Sequence, residues 1–283
     1  MIRRLAIVGI GLLGGSVAKA ARAHGLAAEI VGIGRDATRL EAARRDGALD
    51  RVTTDLAAGV KDAELLVLAP PVRVIAAMLE DVAGVCGPET IVTDVGSTKA
   101  AIVRTAERLR RTRPLRFVGS HPMAGSEKSG YGEARADLFR GATVVVTPTE
   151  SSDPTAVKTV SELWERLGAG RIVTLDPDAH DRAAAAISHL PHLVAMALVD
   201  AVDRFEPSAL DIAARGFRDT TRIAASDPVM WEEIFLANRE ALGGSLVVFR
   251  EALAELERLV AAGDSAGVRA AIARIKARRE ALR

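Results

Sequence analysis

Cysteine, aromatic residues and an excess of charge of either sign are scarce in this chain. Cys86 is the only cysteine among 283 residues, which excludes a disulfide framework and a thiolate metal cage. Aromatic residues make up 3% of the chain and hydrophobic residues 49%, so Ala, Val, Leu and Ile must build the core, as suits buried parallel strands and close-packed helices. The formal net charge of +1 gives no electrostatic reason to expect nucleic acid or a membrane surface as a partner.

The beginning of the chain also lacks an uninterrupted hydrophobic run. Two arginines precede an apolar segment, as in a signal peptide, but glycines at positions 9, 11, 14 and 15 interrupt it and it is too short to cross a bilayer. We therefore expect a cytoplasmic protein. The length predicts one large domain or two ordinary ones.

The same segment contains the pattern Gly9-x-Gly11-x-x-Gly14 between a predicted strand, residues 5–9, and a predicted helix, residues 13–24. In that context the pattern indicates a dinucleotide-binding turn. Gly9 permits a tight turn, Gly11 lets a pyrophosphate approach the helix N-terminus, and Gly14 packs closely on the strand. The alternative is a glycine-rich turn without a ligand.

The tip of the second predicted strand, residues 29–33, bears on the choice between NAD and NADP. An acid at this tip normally binds the ribose 2′-hydroxyl of NAD, but the sequence continues Gly34-Arg35-Asp36. Arg35 suits a 2′-phosphate, whereas Asp36 is placed to cap the following helix. The cofactor is therefore expected to be NAD or NADP, with NADP tolerated.

Strand and helix signals alternate as far as Asp176, with further strands predicted over residues 64–69, 90–94, 115–118, 143–147 and 171–175. Such alternation predicts a doubly wound parallel sheet with ligand sites beyond the carboxyl ends of its strands. From Pro177 onward no strand signal recurs. We predict an α/β protein: a dinucleotide-binding Rossmann-type domain over residues 1–176, then an all-helical substrate and dimerisation domain over residues 177–283.

Two histidines occupy one face of the first long helix of the second region. His189 and His192 are three residues apart, and Pro191 between them should kink the helix and free the carbonyl of Ile187. No cysteine or Glu-x-x-His partner accompanies them, so we predict no metal. The two side chains line a pocket or, alternatively, are hydrogen-bonded core residues. His24 and His180 are predicted to lie at the surface.

Two other segments carry polar residues suited to chemistry. His121 lies in a glycine-rich loop, residues 119–130, after a predicted strand, and its imidazole can exchange a proton near neutral pH. Arg222 has a planar fork suited to a carboxylate, and Asp219 lies close to it in sequence. The corresponding alternatives are an inert surface turn and an ordinary loop ion pair.

Taken in order, these motifs closely resemble the prephenate/arogenate dehydrogenase family of tyrosine biosynthesis, over nearly the whole chain. They are the glycine pattern, Asp94-Val95-Gly96-Ser97-Thr98-Lys99, the GSHPMAG loop, Ser188-His189-Leu190-Pro191-His192, and Asp219-Thr220-Thr221-Arg222-Ile223-Ala224 running on to Pro228 and Trp231. The GSHPMAG loop together with the Thr-Arg-Ile-Ala segment is the specific part. The missing acid near Gly34 departs from the pattern and leaves strict use of NAD open.

The resemblance implies a role for each matching residue. His121 corresponds to the family's catalytic histidine and Ser97 to its companion serine, while His192 and Arg222 correspond to the substrate-pocket histidine and the arginine for a substrate carboxylate. The predicted catalytic residues are therefore His121 and Ser97, and the predicted substrate-binding residues are His189, His192, Arg222 and Asp219. The predicted cofactor-binding residues are Gly9, Gly11, Leu12, Leu13, Gly14, Arg35, Pro70 and Ser97.

The implied activity is an NAD(P)-dependent oxidative decarboxylation of prephenate to 4-hydroxyphenylpyruvate by a homodimer. Arogenate, or both substrates, is the nearest alternative. Another two-domain dehydrogenase, of the hydroxyacid or imine-reducing kind, would use a lysine or aspartate base in place of the GSHPMAG loop. A non-catalytic dinucleotide sensor would keep the glycines but would need neither His121 nor Arg222.

Overall fold

The first part of the chain forms an eight-stranded sheet, seen in a computed structural model that describes residues 1–126 and 128–282. Glu127, within the predicted glycine-rich loop, and Arg283 lie outside the described residues. The strands are β1 (Ile2–Val8), β2 (Ala27–Ile33), β3 (Arg51–Thr53), β4 (Leu65–Leu68), β5 (Ile91–Asp94), β6 (Arg116–Pro122), β7 (Thr143–Thr147) and β8 (Arg171–Thr174).

Helices connect most of these strands and make up the rest of the chain. Those of the sheet region are α1 (Leu12–Ala23), α2 (Ala37–Arg45), α3 (Leu56–Val60), α4 (Val72–Val85), α5 (Ala100–Arg110) and α6 (Pro154–Arg166). Those that follow are α7 (Pro177–Ala184), α8 (Leu190–Phe205), α9 (Arg215–Thr221), α10 (Pro228–Ala237), α11 (Arg239–Ala261) and α12 (Ser265–Glu280). The predicted fold class is confirmed.

The strand order places a ligand crevice between β1 and β4. The order is β3-β2-β1-β4-β5-β6-β7-β8, so the chain winds outward in one direction from β1 and in the other from β4. In open sheets of this kind ligands bind beyond the carboxyl ends of the strands, where the winding direction reverses. The turns after β1, β4 and β5 all open at that edge.

One strand pair departs from the predicted parallel sheet. β6 pairs with β7 in the antiparallel sense, His121 opposite Val145, whereas every other pairing is parallel. Parallel neighbours need a crossover connection, usually a helix. The segment between β6 and β7 contains only a short 3₁₀ turn, Tyr131–Glu133, among its described residues, so the chain returns alongside the strand it has just left.

Alternating side chains of the strands supply the two faces of the core. In β1, Leu5 and Ile7 pack on the face that carries α1 and α6, while Ala6 and Val8 pack on the face that carries α4 and α5. This period of two follows from the pleat of a strand. A sheet buried on both faces holds the turns at its edge in fixed positions.

The predicted long kinked helix is a continuous helical stretch, Pro177–Phe205, with a π-helical turn at Ala185–His189 between α7 and α8. Pro191 has no N–H for the carbonyl of Ile187, and a π turn is one way a helix absorbs such a break. The stretch is long enough to cross a membrane, and its most apolar 18-residue window has a mean hydropathy of 1.5. That is weak evidence, because core helices of soluble proteins pass the same test.

A buried ion pair fixes the sheet edge next to His121. Lys99 and Asp94 are both fully buried, and the ammonium of Lys99 donates to Asp94 Oδ2 and, at 2.9 Å, to the carbonyl of Ser120. Asp94 also accepts hydrogen bonds from the backbone N–H groups of Gly96 and Ser120. Burial lowers the pKa of Lys99, and the charge of Asp94 opposes that effect.

We expect Lys99→Met to lower the free energy of unfolding by about 3–5 kcal/mol, because it leaves the Asp94 carboxylate buried without its counter-charge. Asp94→Asn/Lys99→Met should be more stable than Lys99→Met alone, since neither charge then remains in the core. Urea unfolding of the three proteins measures this. Equal stability of Lys99→Met and wild type would show that the pair does not stabilise the sheet edge.

Candidate active site

The turn after β1 has the shape that a dinucleotide pyrophosphate requires. Gly9 has φ +86°, and a side chain there would meet the backbone of Ala69 and Pro70 at 2.8 Å. A Cβ at Gly14 would lie 2.1 Å from the carbonyl oxygen of Gly9. At Gly11, the N-cap of α1, a Cβ would meet nothing within 4 Å, and no side chain caps the helix. The free N-terminus of α1 therefore faces open space that suits an anion.

The tip of β2 presents a cation rather than an acid. Arg35 is exposed after Gly34. The carboxylate of Asp36 accepts hydrogen bonds from the backbone N–H groups of Thr38 and Arg39, and it lies 3.1 Å from Arg39 Nε. The predicted capping role of Asp36 is confirmed, so this carboxylate is engaged at the start of α2.

His121 lies within β6 and not in the predicted loop, because the strand continues to Pro122 by pairing with β7. The neighbouring strand β5 has already ended at this level. Each polar group of the preceding residue, Ser120, is bound: its N–H and Oγ bond to Asp94, its carbonyl to Lys99, and its Oγ also to Trp164 Nε1 at 2.9 Å. These bonds continue the link between β5 and β6 beyond the strand ladder. They hold the backbone in place at the position from which the buried side chain of His121 extends.

A chain of hydrogen bonds runs from His121 to a buried carboxylate. His121 Nδ1 lies 2.9 Å from His180 Nε2, and His180 Nδ1 lies 2.8 Å from Asp181 Oδ1. A carboxylate only accepts, so His180 carries its proton on Nδ1. His180 Nε2 then faces His121 Nδ1 and accepts the hydrogen that this nitrogen carries. This arrangement leaves the lone pair of His121 on Nε2, where a general base needs it.

The pKa values favour neutral His121 and ionised Asp181. Burial lowers the pKa of His121 well below its ordinary value, and the neighbouring His180, Lys99 and His189 lower it further. Burial opposes ionisation of Asp181, but hydrogen bonds from His180 and from the backbone N–H groups of Lys99 and Ala100 hold its pKa below the usual range. His121 is therefore ready to accept a proton at neutral pH.

Asp181 also joins the first helical segment after the sheet to the sheet itself. Its Oδ1 accepts from the N–H of Lys99 at 2.7 Å and its Oδ2 from the N–H of Ala100 at 3.0 Å, so it caps α5 from α7. The prediction that His180 lies at the surface is wrong, since that residue is 1% exposed. Pro177, His180, Asp181 and Ala184 share the buried face of α7, and the helical spacing of these four positions was the signal available in the sequence.

His189 and His192 differ in what they offer a ligand. His189 is buried, and burial lowers its pKa to about 4. His192 is half-buried and stacked on Trp231, with ring centroids 3.6 Å apart. Its Nδ1–H donates to the carbonyl of Ser188 at 2.9 Å. Burial, together with the charge of Arg222, lowers the pKa of His192, so its Nε2 accepts rather than donates at neutral pH.

The remaining predicted residues occupy three settings. Ser97 is half-buried in the loop between β5 and α5. Arg222 is exposed at the start of a 3₁₀ turn, close enough to His192 to lower its pKa. Asp219 is exposed on α9, 3.2 Å from Arg215 Nε. Across the residues that the structure describes, Asp219 takes no part in the hydrogen bonds that link the histidines to Asp181. Among the described residues, no group of three His, Cys, Asp or Glu side chains suits a metal ion.

The chain matches two family models. Residues 17–173 match the nucleotide-binding domain of prephenate dehydrogenase, and residues 176–274 match its dimerization domain. The glycine pattern lies before the first matched residue.

Individual relatives agree with these matches. The chain is 38% identical to a prephenate dehydrogenase of Bacillus subtilis, over 89% of this chain and 68% of the relative. It is 33% identical to a cyclohexadienyl dehydrogenase of Zymomonas mobilis, over 92% and 88%. The crystal structure of prephenate dehydrogenase from A. aeolicus, in complex with hydroxyphenyl propionate and NAD+, superimposes with a TM-score of 0.92 at 33% identity, covering 100% of this chain and 99% of the other.

The depressed histidine pKa values predict a loss of stability in mild acid. Below about pH 6.5 the unfolded chain binds protons that folded His189, with its pKa of about 4, does not bind. The stability that this residue contributes is therefore complete above that pH and declines as the pH falls, by about 2 kcal/mol at about pH 5. Urea unfolding at about pH 7 and pH 5 measures the difference.

His189→Phe should reduce that pH dependence, and His24→Gln provides the control because His24 is exposed. If His189→Phe kept the full wild-type pH dependence, proton uptake by His189 on unfolding would not be its cause.

Proposed function

This chain belongs to the prephenate dehydrogenase family, and on that premise we propose that it converts prephenate, with NAD(P), into 4-hydroxyphenylpyruvate and CO2. The observation that carries the proposal is the buried chain His121–His180–Asp181. It leads to the sheet edge where the glycine turn opens. A dinucleotide sensor would have no use for a buried base of this kind.

The cofactor fits the residues present at the turn. The open space at Gly11 and the uncapped N-terminus of α1 suit its pyrophosphate, and Pro70 borders the turn. Leu12 and Leu13 lie in the first turn of that helix, and Ser97 lies in the loop that leads into α5. When bound, the nicotinamide accepts the hydride that leaves C4 of the substrate ring. The chain supplies binding, orientation and one base.

We assign the proton transfer to His121. Its Nε2 accepts the proton of the substrate's C4 hydroxyl, which Ser97 orients. The imidazolium that forms keeps its Nδ1–H bond to His180, and the Asp181 carboxylate at the far end favours the added charge. Loss of CO2 makes the ring aromatic and supplies driving force, so positioning and one proton acceptor suffice.

The substrate's carboxylates require cations and donors. Arg222 binds one carboxylate, with His189 and His192 lining the same pocket, while the carboxylate of Asp219 on α9 is engaged by Arg215. Arogenate carries an ammonium where prephenate carries a keto group, and a site selective for arogenate should offer that ammonium an acid. The proposed pocket offers none, which supports prephenate.

One observation favours activity with both substrates as the second candidate. Neutral His192 has a lone pair on Nε2, because its Nδ1–H is bound to the carbonyl of Ser188, and a lone pair accepts from an ammonium. The relative from Zymomonas mobilis is a cyclohexadienyl dehydrogenase, a name that fits this second candidate.

Steady-state assays of both substrates with both cofactors test the function. We expect prephenate to have the higher kcat/KM. His121→Asn should bind cofactor almost normally but turn over more slowly by a factor on the order of 10² to 10⁴, as expected for loss of a general base. Wild-type turnover in that variant would remove His121 from the mechanism, and a tenfold preference for arogenate would overturn the substrate assignment.

We further propose that the protein uses NADP as well as NAD. Arg35 stands exposed at the tip of β2, where an acid would repel a 2′-phosphate, and Asp36 is engaged in capping α2. Both observations support tolerance of the extra phosphate.

Arg35→Ala should raise the KM for NADP much more than the KM for NAD. Arg39→Ala is the matched control, since Arg39 is exposed one helical turn away but pairs with Asp36. Equal effects of Arg35→Ala on both cofactors, or a wild type that ignores NADP, would refute the role of Arg35.

We also propose a cytoplasmic homodimer in which residues 1–176 bind the cofactor and residues 177–283 bind substrate and form the interface. Several apolar side chains of the helical region are exposed in the single chain, among them Phe205 at 90% and Ile212 at 83%. Such surface is normally covered by another subunit. The apolar residues of β1 are buried in the sheet. The segment that resembles a signal peptide is therefore a strand of the fold, which supports the cytoplasmic location.

Light scattering at micromolar concentration should give about twice the chain mass of 29.8 kDa. Phe205→Glu should shift the protein toward monomer, because it places a charge within the proposed interface. Arg204→Gln is a control of the same charge change beside it, at an exposed residue. A stable and active wild-type monomer would contradict the proposal.

A further inference from the structure

The chain contains one asparagine and no glutamine, so Asn238 is its only side-chain amide. This residue lies at the junction of α10 and α11 and is 5% exposed. Its Nδ2 lies 2.7 Å from the carbonyl oxygen of Asp181 and 3.1 Å from His189 Nδ1. A single buried amide thus contacts Asp181, the last residue of the hydrogen-bonded series His121–His180–Asp181. It also contacts His189, the buried histidine of the proposed pocket.

The orientation of this amide follows from its partners. The carbonyl of Asp181 only accepts, so the amide nitrogen, and not the amide oxygen, must face it. The same nitrogen then faces His189 Nδ1 and donates its second hydrogen there. His189 Nδ1 is therefore an acceptor without a proton, and the ring proton is on Nε2.

We propose that Asn238 is a positioning residue that holds His189 as a neutral Nε2–H donor toward an oxygen of the substrate's carboxylate or keto group. The inference rests on the proposed function, which places His189 in the substrate pocket. The two pocket histidines then have opposite roles. His189 donates, and His192, whose Nδ1–H is held by Ser188, accepts.

The groups around His189 are consistent with a neutral ring. Burial disfavours its charged form, as do His180 and His192, whereas the carboxylate of Asp181 favours it. Burial prevails, and the pKa falls to about 4. Trp231 packs edge-on against the ring, with centroids 6.0 Å apart, and restricts its rotation. The amide then decides which nitrogen of the neutral ring carries the proton.

Loss of the amide should affect substrate binding more than turnover. Without Asn238, the Asp181 side chain keeps its bonds to Lys99, Ala100 and His180. The hydrogen bonds that link His121 to Asp181 through His180 therefore remain. His189, by contrast, loses the partner that selects its tautomer. A donor to a charged substrate oxygen contributes enough that losing it weakens binding about tenfold or more.

The experiment uses the full-length protein labelled with ¹⁵N-histidine. The ¹⁵N shifts of the five histidines distinguish Nδ1–H, Nε2–H and charged rings, and single substitutions assign them. We expect wild-type His189 to be neutral with its proton on Nε2 at about pH 7. Asn238→Asp replaces the donor by an acceptor and should move the proton to Nδ1 or charge the ring. Asn238→Ala should leave a mixture of tautomers.

Kinetics of the same variants give the second measurement. Both should raise the KM for prephenate about tenfold or more, with kcat and the KM for cofactor changed less than about threefold. Ser245→Ala is the matched control, since it removes one side-chain bond, to the carbonyl of Leu242, from the same helix without touching a histidine. It should leave tautomer and KM unchanged.

A wild-type His189 with its proton on Nδ1, or a charged one, would overturn the inference, as would Asn238→Asp with unaltered tautomer and KM. Should Asn238→Asp fail to fold, Asn238→Ala carries both measurements. The tautomer is read without substrate, so an inactive wild type with Nε2–H on His189 would refute the proposed function and not the role of Asn238 toward the ring.

Discussion

The Asp181 carboxylate is the group on which the site depends. It caps the N-terminus of α5, through the N–H groups of Lys99 and Ala100, and it accepts the Nδ1–H of His180. The first contact fixes the beginning of the helical region against the sheet. The second sets the tautomer of His180 and, through it, that of His121. A single ionised group therefore links the docking of α7 to the tautomer of His121.

This dependence follows from how few polar groups the aliphatic core contains. Close to His121, three buried polar residues bond to one another: Asp94 pairs with Lys99, and Ser120 bonds to both. Each bond is valuable mainly because leaving its partner unmet in a dry core is costly. The network consequently has one low-energy arrangement, and that arrangement places the unprotonated nitrogen of His121 away from His180.

The sequence predicted the parts of this protein that local patterns encode. The glycine turn and the cap at Asp36 depend on residues within one or two turns of the chain, and the structure has both. The three-residue strand β3 was missed because it is too short to show a period. The antiparallel pairing of β6 and β7 depends on a connection without a crossover helix, which the strand signals alone do not reveal.

The central error concerned His180, and its cause is physical. A histidine near a helix start is usually solvated, and nothing close in sequence reports that His121, 59 positions away, lies against it. Asn238 escaped notice for the same reason, since its partners are 57 and 49 positions away. Motifs within one segment predicted site roles for His121, Ser97 and Arg222, but contacts between segments decide which nitrogen of each ring is free.

Four of the five histidines lie near one another. Burial lowers the pKa values of His121, His189 and His192 and keeps these three rings neutral, so they do not repel one another. A neutral imidazole donates from one nitrogen and accepts at the other, so its role is set by the partner of its bound nitrogen. In His192 that partner is a carbonyl, which makes the free nitrogen an acceptor. In His189 it is an amide N–H, which makes the free nitrogen a donor. Two identical side chains three residues apart thus acquire opposite polarity from their surroundings.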